Sequence, residues 1–543
     1  MRLRNDLSPL TIAALAMAAI VGFPLLSLAL SLTQTGAGSI QHLVSTLMLE
    51  AVFNTLGLML CVGAGCALIG VSTAWLVTAF QFRGSKSLEW LLLLPLAMPA
   101  YIIGYAYTDA LAFAGPVQSS LRAMFGWSRA DYWFPDIHSL WGVSLMLTLV
   151  LYPYVYMLAR AAFVEQSACI MDASRTLGGN MRESFRRIAL PLARPAIAAG
   201  IALALMEALA DLGTVQYFGI TTFTTVIYRT WFGMGDRIAA AQLATALLCF
   251  VLLLVALEQS TRGSRRFGRT SKRERIIGAK RLTGWRAFGA AATCAVPVVL
   301  GFAIPVAILS RLHLSGGDPF FGARFLQYAG NSFLLAMLAT LVIVSAGALL
   351  AYVLRVSRSR IGSAAVRFAT LGYAIPGTVV AVGVLIPLGI FDNALDGFMR
   401  GTFGISTGLV LSGTLVALIF AYLVRFLAIA TGGVEAGYAR IGMNVDFAAR
   451  TLGSTQGAVA HRIHVPMLRR SLLTAGLVVF VDVMKELPAT LIVRPFNFDT
   501  LAVRVYQLAS DERLAQSSTA ALTIVAIGML PVLLLTRATR RQG

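Results

Sequence analysis

Apolar residues along this chain occur in long runs instead of alternating with polar ones. Twelve runs are long enough for a helix to cross a hydrocarbon core of about 30 Å. Gly, Pro and polar stretches of different lengths separate them, so each run predicts one transmembrane helix. The predicted spans are 9–32, 52–80, 90–113, 138–163, 194–214, 239–258, 287–310, 331–354, 366–390, 405–430, 470–493 and 515–536. The pattern predicts an all-α integral membrane protein with about twelve transmembrane helices.

The chain reads as an internal duplication of six spans. Asn54-Thr55 recurs as Asn331-Ser332, 277 residues later, and Ala97-Met98-Pro99 recurs as Ala374-Ile375-Pro376 at the same offset. An even number of spans in each half makes the halves parallel repeats and not an inverted pair. Both prolines fall inside predicted spans, where each removes a backbone donor and weakens the helix.

Charge sets the expected topology and the repeat boundaries. The net charge of +20 comes from Lys and Arg concentrated on one predicted side, and basic loops stay in the cytoplasm. We therefore expect both termini to be cytoplasmic, and the basic excess reflects topology and not nucleic-acid binding. Residues 258–286 contain ten Lys and Arg without a long apolar run, which predicts a cytoplasmic linker between a first repeat, 1–257, and a second, 287–543.

A hydrophilic segment follows the fourth span of each half, within about 165–191 and 435–466. Gly178 and Gly453 lie 275 residues apart, and each is followed ten residues later by Ile and three residues after that by Pro. This spacing predicts a helix, a sharp turn and a second helix, with Pro starting the next apolar span. Two such hairpins between membrane spans predict docking elements for a soluble partner.

The hairpins resemble the cytoplasmic signature of ABC importer permeases, E-A-A, three residues, Gly, nine residues, Ile, one residue, Leu-Pro. The first copy has Asp and Ser at two signature positions; the second has Phe447 at the acidic position and Val465 for Leu. The resemblance implies that both hairpins couple to a separate ATPase subunit. The implied coupling residues are Asp172, Ala173, Gly178, Ile188, Pro191, Ala448, Gly453, Ile463 and Pro466.

Acidic residues fall inside the span after each hairpin. Glu207 and Asp211 in one span, and Asp482 and Glu486 in the other, are spaced i, i+4 and share a helix face. Carboxylates in hydrocarbon cost about 2.5 kcal/mol or more each, so they should face protein or water. We interpret them, with Lys485, as lining a translocation path; the alternative is that they pair with Lys485 or the backbone and hold helices together.

The runs ADLGTVQYFG, TFTTVIYRTWF and KELPATLIVRPFNFDTLAVRVY narrow the resemblance to the ferric iron permeases of binding-protein-dependent importers. The resemblance implies a permease in the bacterial inner membrane, supplied by a periplasmic binding protein and driven by an ATPase homodimer. Permeases for thiamine and aminoethylphosphonate are similar in layout, so both remain alternative substrates.

The sequence lacks the motifs of an enzyme. It contains no G-x-x-x-x-G-K-[ST], so we expect ATP to be hydrolysed by a partner, and we expect no cofactor. The five His residues are scattered, and no metal site is assigned. A secondary transporter that uses Asp211 and Glu486 as ion sites is the alternative from another class, although such a transporter needs no docking hairpins.

Overall fold

The computed structural model describes residues 8–34, 45–165, 180–261, 280–319, 322–357 and 359–540. The all-α prediction is confirmed, with one two-residue strand pair, β1 (Phe80–Gln81) and β2 (Lys280–Arg281). The helices before the linker are α1 (Pro9–Ser31), α2 (Met48–Ala79), α3 (Ser85–Leu91), α4 (Ala100–Leu111), α5 (Pro116–Phe125), α6 (Leu140–Glu165), α7 (Met181–Ser184), α8 (Leu190–Ala210), α9 (Gly213–Tyr217), α10 (Phe223–Phe232) and α11 (Arg237–Thr261). Those after it are α12 (Gly284–Val298), α13 (Ile304–Gly316), α14 (Ala323–Val356), α15 (Arg360–Ala369), α16 (Gly377–Phe403), α17 (Leu415–Tyr438), α18 (Met443–Thr451), α19 (Gln456–Val459), α20 (Val465–Lys485), α21 (Pro488–Val493), α22 (Leu501–Ser510) and α23 (Leu514–Arg540).

The described residues contain ten helices long and apolar enough to cross a membrane, or eleven if one bent pair counts as a span. The bent pair is the predicted span 90–113, whose two parts, Ser85–Ala97 and Ala100–Phe125, meet at 91°. The remaining predicted span, 470–493, corresponds to α20 and α21. It is not among the apolar helices because α20 carries four charged residues, Arg469, Arg470, Asp482 and Lys485.

The two repeated intramembrane prolines both stand where a helix begins. A 3-10 turn at Leu94–Ala97 precedes Pro99, the N-cap of α4, and another at Thr370–Ala374 precedes Pro376, the N-cap of α16. Pro has no N–H to donate and its ring crowds the preceding turn, so the helix stops there and a new one starts. The proline match between the halves therefore marks the same structural break twice.

The linker ends in an unpredicted contact. β2 pairs in parallel with β1 directly after α2, and the Leu282 amide donates to the Gln81 carbonyl at 2.8 Å. The rest of the basic linker, 262–279, lies outside the described residues. This contact ties the start of α12 to the end of α2.

The helices group into two compact units that cut across the predicted repeats. One unit comprises Met1–Gln41, Ile227–Leu248 and Phe320–Arg504, and the other comprises His42–Val226, Cys249–Pro319 and Val505–Gly543. The predicted repeat boundaries, 1–257 and 287–543, thus describe the duplication in the sequence and do not coincide with the compact units. Each unit combines the central helices of one repeat with terminal helices of the other.

Close contacts inside each unit hold these combinations together. In the unit containing α16, a Cβ at Gly383 would lie 2.9 Å from the Pro24 carbonyl, so glycine lets α1 approach α16 closely. The Thr245 hydroxyl of α11 donates to the Leu28 carbonyl of α1 at 2.9 Å. In the unit containing α4, the Tyr107 hydroxyl donates to the Leu300 carbonyl, ahead of α13, at 2.7 Å.

Candidate coupling site and intramembrane polar site

The second hairpin has the predicted helix–turn–helix form. Helix α18 ends in a turn where Gly453 has φ 82°, a left-handed conformation that L side chains resist. The Gly453 amide donates to the Arg450 carbonyl and the Ser454 amide to the Ala449 carbonyl, both at 3.0 Å. These two bonds form a Schellman motif, which explains the glycine at this position. The Thr455 hydroxyl then caps α19.

The predicted coupling residues of this hairpin occupy distinct places. Ala448 is exposed on α18, and Gly453 is exposed at the turn. Ile463 is half-buried in a π-helical turn at Ala460–His464, and Pro466 is the exposed second residue of α20. Ala448, Gly453 and Pro466 are thus exposed, as binding to a soluble partner requires.

The first hairpin is described only from Asn180 onward, so Asp172, Ala173 and Gly178 lie outside the described residues. The described part repeats the second hairpin at the 275-residue offset. Asn180 caps α7 by accepting from the Glu183 amide at 2.9 Å, a π-helical turn at Phe185–Ala189 contains Ile188, and Pro191 is the second residue of α8. The structural repetition supports the duplication.

The π-helical turns were not predicted from the sequence. Each ends one residue before an X-Pro pair, and a third, at Val299–Ala303, precedes Pro305 in the same way. A proline ring clashes with the carbonyl four residues earlier, and a wider turn relieves this clash while the helix continues. The second helix of each hairpin and the span after it are therefore one continuous helix.

A buried polar network anchors the second hairpin. Asp446 on α18 accepts from Arg355 Nη2 at 2.5 Å and from His464 Nε2 at 2.6 Å. Tyr438 packs edge-on against His464, with ring centroids 5.2 Å apart. Burial would raise the pKa of Asp446, but the hydrogen bonds from Arg355 and His464 outweigh it and hold that pKa below the ordinary 3.8.

The first hairpin has an apolar anchor at the corresponding place. Phe185 packs against Trp75 with ring centroids 4.9 Å apart, and Trp75 packs against Phe163 at 5.3 Å in an edge-to-face contact. Trp75 and Phe163 correspond to Tyr352 and Tyr438 at offsets of 277 and 275. Equivalent hairpins are thus held by aromatic packing in one repeat and by charged hydrogen bonds in the other.

The intramembrane acids mark the ends of α8 and α20. Asp211 directly follows α8 and accepts from the Thr214 and Val215 amides at 2.9 and 3.2 Å. Glu486 directly follows α20 and accepts from the Ala489 amide at 2.8 Å and the Thr490 amide at 3.0 Å. Each carboxylate caps the short helix beyond the break, which satisfies backbone donors that the membrane interior could not.

Glu486 also has a cationic partner that sequence reasoning missed. Arg425 on α17 is 9 % exposed, and its Nη1 lies 2.9 Å from Glu486 Oε1. A Cβ at Gly377 would lie 2.3 Å from that Arg425 nitrogen, so the pair requires glycine there. The sequence signal was an arginine inside the predicted span 405–430, a position that calls for a buried partner.

The other acidic positions differ in their surroundings. Asp482 pairs with Lys485 at 2.8 Å, as one of the two sequence interpretations expects. Glu207 is half-buried on α8, one turn before Asp211. Asp211 forms no ion pair within the described part of the chain.

The repeated Asn-Thr/Ser pairs bind equivalent loops. Asn54 Nδ2 donates to the Thr221 carbonyl at 3.0 Å, and Asn331 Nδ2 donates to the Asp499 carbonyl at 3.1 Å. Each Asn thus fixes the loop that follows the short helix α9 or α21. The identical contact in two places shows that the 277-residue match reflects a common structure.

Comparison with known proteins agrees with this arrangement. Residues 67–260 match the family described as binding-protein-dependent transport system inner membrane component. The chain is 25 % identical to the Fe(3+)-transport system permease protein FbpB 2 of Haemophilus influenzae over 95 % of this chain and 96 % of that protein. It is 24 % identical to the ferric transport system permease protein FbpB of Actinobacillus pleuropneumoniae, over 85 % of this chain and 66 % of that one.

A shorter match reaches a permease named for another substrate. The putative 2-aminoethylphosphonate transport system permease protein PhnU of Salmonella choleraesuis is 25 % identical over 39 % of this chain and 74 % of its own. The full-length similarity, the repeated hairpins and the apolar spans agree with one another. The chain is thus similar to inner membrane components of binding-protein-dependent transport systems, and it is a multi-pass protein of the bacterial inner membrane.

Proposed function

We propose that this chain is the permease subunit of an ABC importer that moves ferric iron inward. A soluble binding protein delivers the iron outside, and a separate ATPase homodimer binds both hairpins in the cytoplasm. The observation that carries the proposal is the pair of equivalent hairpins, each continuous with a helix that ends at an intramembrane carboxylate.

The continuity of hairpin and span supports coupling between ATPase and path. Helices α8 and α20 each begin directly after a π-helical turn of the hairpin, without a loop between them. A force on the hairpin therefore acts on the span itself. Docking hairpins of this kind have no role in a secondary transporter driven by an ion gradient.

Iron is supported by the names of the relatives that match over most of the chain. The aminoethylphosphonate permease matches a smaller part, and thiamine remains a sequence-based alternative. The carboxylate of Asp211, which forms no ion pair among the described residues, favours a cationic cargo over a phosphonate, which it would repel.

The test is uptake by the full-length permease, reconstituted in vesicles with its ATPase and its iron-loaded binding protein. We expect iron to accumulate only with ATP, and dissipating the proton gradient should not stop it. Uptake that persists without ATP and stops with the gradient would establish the secondary transporter instead. Uptake of thiamine or a phosphonate in place of iron would correct the substrate and leave the permease role intact.

A further inference from the structure

The two intramembrane carboxylates that cap short helices have opposite electrostatic surroundings. Glu486 is neutralised by Arg425 and is 5 % exposed. Position 150, which corresponds to Arg425 at the 275-residue offset that relates Leu140 to Leu415, the first residues of α6 and α17, is occupied by Val150. No cation can reach Asp211 from that position.

A cluster of tyrosines lies near Asp211 instead: the Thr214 hydroxyl donates to Asp211 at 2.9 Å, and a Cβ at Gly104, the residue before Tyr105, would lie 3.3 Å from Thr214. Tyr105 packs against Tyr217 with ring centroids 4.4 Å apart and against Tyr101 at 5.8 Å. Tyr101, Tyr217, Tyr506 and Asp211 all lie close enough to the Tyr105 phenol to interact with it electrostatically. All five residues belong to the same compact unit.

The Tyr105 hydroxyl is the unusual member of this group. Tyr105 is 2 % exposed, and its hydroxyl has no hydrogen-bond partner within the described residues. A buried hydroxyl without a partner is costly, and such a group in a native protein calls for an explanation. A ligand that brings its own polar contacts would satisfy it.

The other repeat lacks this chemistry. The positions equivalent to Tyr101, Tyr105 and Tyr217 are Thr378, Val382 and Ile492, at the offsets of 277 and 275 already established. The three phenols near Asp211 are therefore missing at the equivalent positions near Glu486, where the phenol of Tyr422 is already hydrogen-bonded to the Thr490 hydroxyl at 2.6 Å. This difference between the repeats favours a binding site at Asp211 and a structural ion pair at Glu486.

We propose that Asp211 and the hydroxyls of Tyr101, Tyr105 and Tyr217 form a transient binding site for a hard, highly charged cation in transit. This inference rests on the proposed function and assigns its cargo contact to one repeat. Carboxylate and hydroxyl oxygens are the ligands that hard cations prefer. One carboxylate with neutral phenols binds weakly enough to release the ion, as passage requires.

Glu486 then has a different role from Asp211, although the sequence makes them equivalent. Arg425 and two backbone amides occupy the oxygen atoms of Glu486. A cation would have to displace Arg425 to bind there. The site for the cation lies with Asp211 alone.

The test uses Tyr105→Phe and Asp211→Asn in the reconstituted importer with radiolabelled ferric iron. Tyr105→Phe removes a hydroxyl without breaking a hydrogen bond, and Asn at 211 can still accept from the helix amides. We expect both variants to assemble with the ATPase and unfold at the wild-type temperature, while iron uptake falls about tenfold because one oxygen contact in transit is lost.

Tyr107→Phe is the matched control on the same helix, because its hydroxyl donates to the Leu300 carbonyl and serves packing. We expect this variant to keep most of the iron uptake. Wild-type uptake in Tyr105→Phe and Asp211→Asn would overturn the inference alone, and so would an equal loss in Tyr107→Phe. A wild-type chain that takes up no iron would overturn the proposed substrate, and the inference with it.

Discussion

Replacing Gly453 by Val tests whether the turn of the second hairpin is needed to bind the ATPase. Gly453 has φ 82°, and both hydrogen bonds of the Schellman motif depend on this conformation. A Cβ at this position would meet nothing within 4 Å. The effect of the substitution is therefore confined to the backbone and does not come from crowding.

The expected effect follows from the cost of left-handed backbone. An L-residue in this conformation costs about 1–2 kcal/mol, and a β-branched residue is among the least tolerant. Since about 1.4 kcal/mol corresponds to a tenfold change in affinity, the strain predicts ATPase binding weakened by about 5–30-fold. Gly453→Asn should weaken it far less, because Asn tolerates this region.

Gly442→Val is the matched control in the same hairpin. Gly442 has φ −60° as the N-cap of α18, and a Cβ there also meets nothing within 4 Å. The assay is titration of the purified ATPase onto the permease in nanodiscs, with the unfolding temperature of each variant measured alongside. If Gly453→Val binds the ATPase as tightly as the wild type, the turn is not part of the coupling site.

Three further predictions concern charged residues. Asp446→Asn should destabilise the second hairpin by about 1–3 kcal/mol at neutral pH, measured from unfolding curves. Because folding lowers the pKa of Asp446, this difference from the wild type should persist above pH 3.8. It should vanish as the pH falls through the pKa of the folded state. Arg425→Met should cost about 3–5 kcal/mol by leaving Glu486 buried without a cation, and adding Glu486→Gln should recover part of it in a double-mutant cycle of unfolding free energies. Asp172→Ala should change the salt dependence of ATPase binding, whereas Phe447→Ala should not. The reason is that Asp172 carries a charge near a predicted helix start and Phe447 does not.

The sequence was sufficient wherever a local rule determines the structure. The glycine of the second hairpin indicated a sharp turn, and Pro99 and Pro376 were expected to weaken their helices, where the structure breaks each span and starts a new helix. Gly213 and Pro488, residue types that interrupt helices, follow Asp211 and Glu486 by two residues, and α8 and α20 end there. These features depend on a few neighbouring residues, so spacing alone reveals them.

Contacts between residues far apart in the sequence could not be predicted. Arg425 and Glu486 are 61 residues apart, and no periodicity links an arginine on one helix to a carboxylate on another. The packing of α1 with α16 depends on small residues such as Gly383, whose importance shows only when the two helices are seen together. The predicted role of the acids in a translocation path stays a prediction. Their contacts differ, because Glu486 forms an ion pair with Arg425 whereas Asp211 accepts hydrogen bonds from the next helix.

The asymmetry between repeats has a mechanical consequence. Helices α8 and α20 have 21 residues each, about 30 Å of continuous helix between a hairpin and a capping carboxylate. A displacement of either hairpin by the ATPase is therefore delivered to the break at the far end. In one unit that break is fixed by the Arg425–Glu486 ion pair, which resists rearrangement because separating it would leave two buried charges. In the other unit the described contacts of the Asp211 carboxylate are hydrogen bonds from the next helix, so we expect the same displacement to rearrange the tyrosine-lined site first.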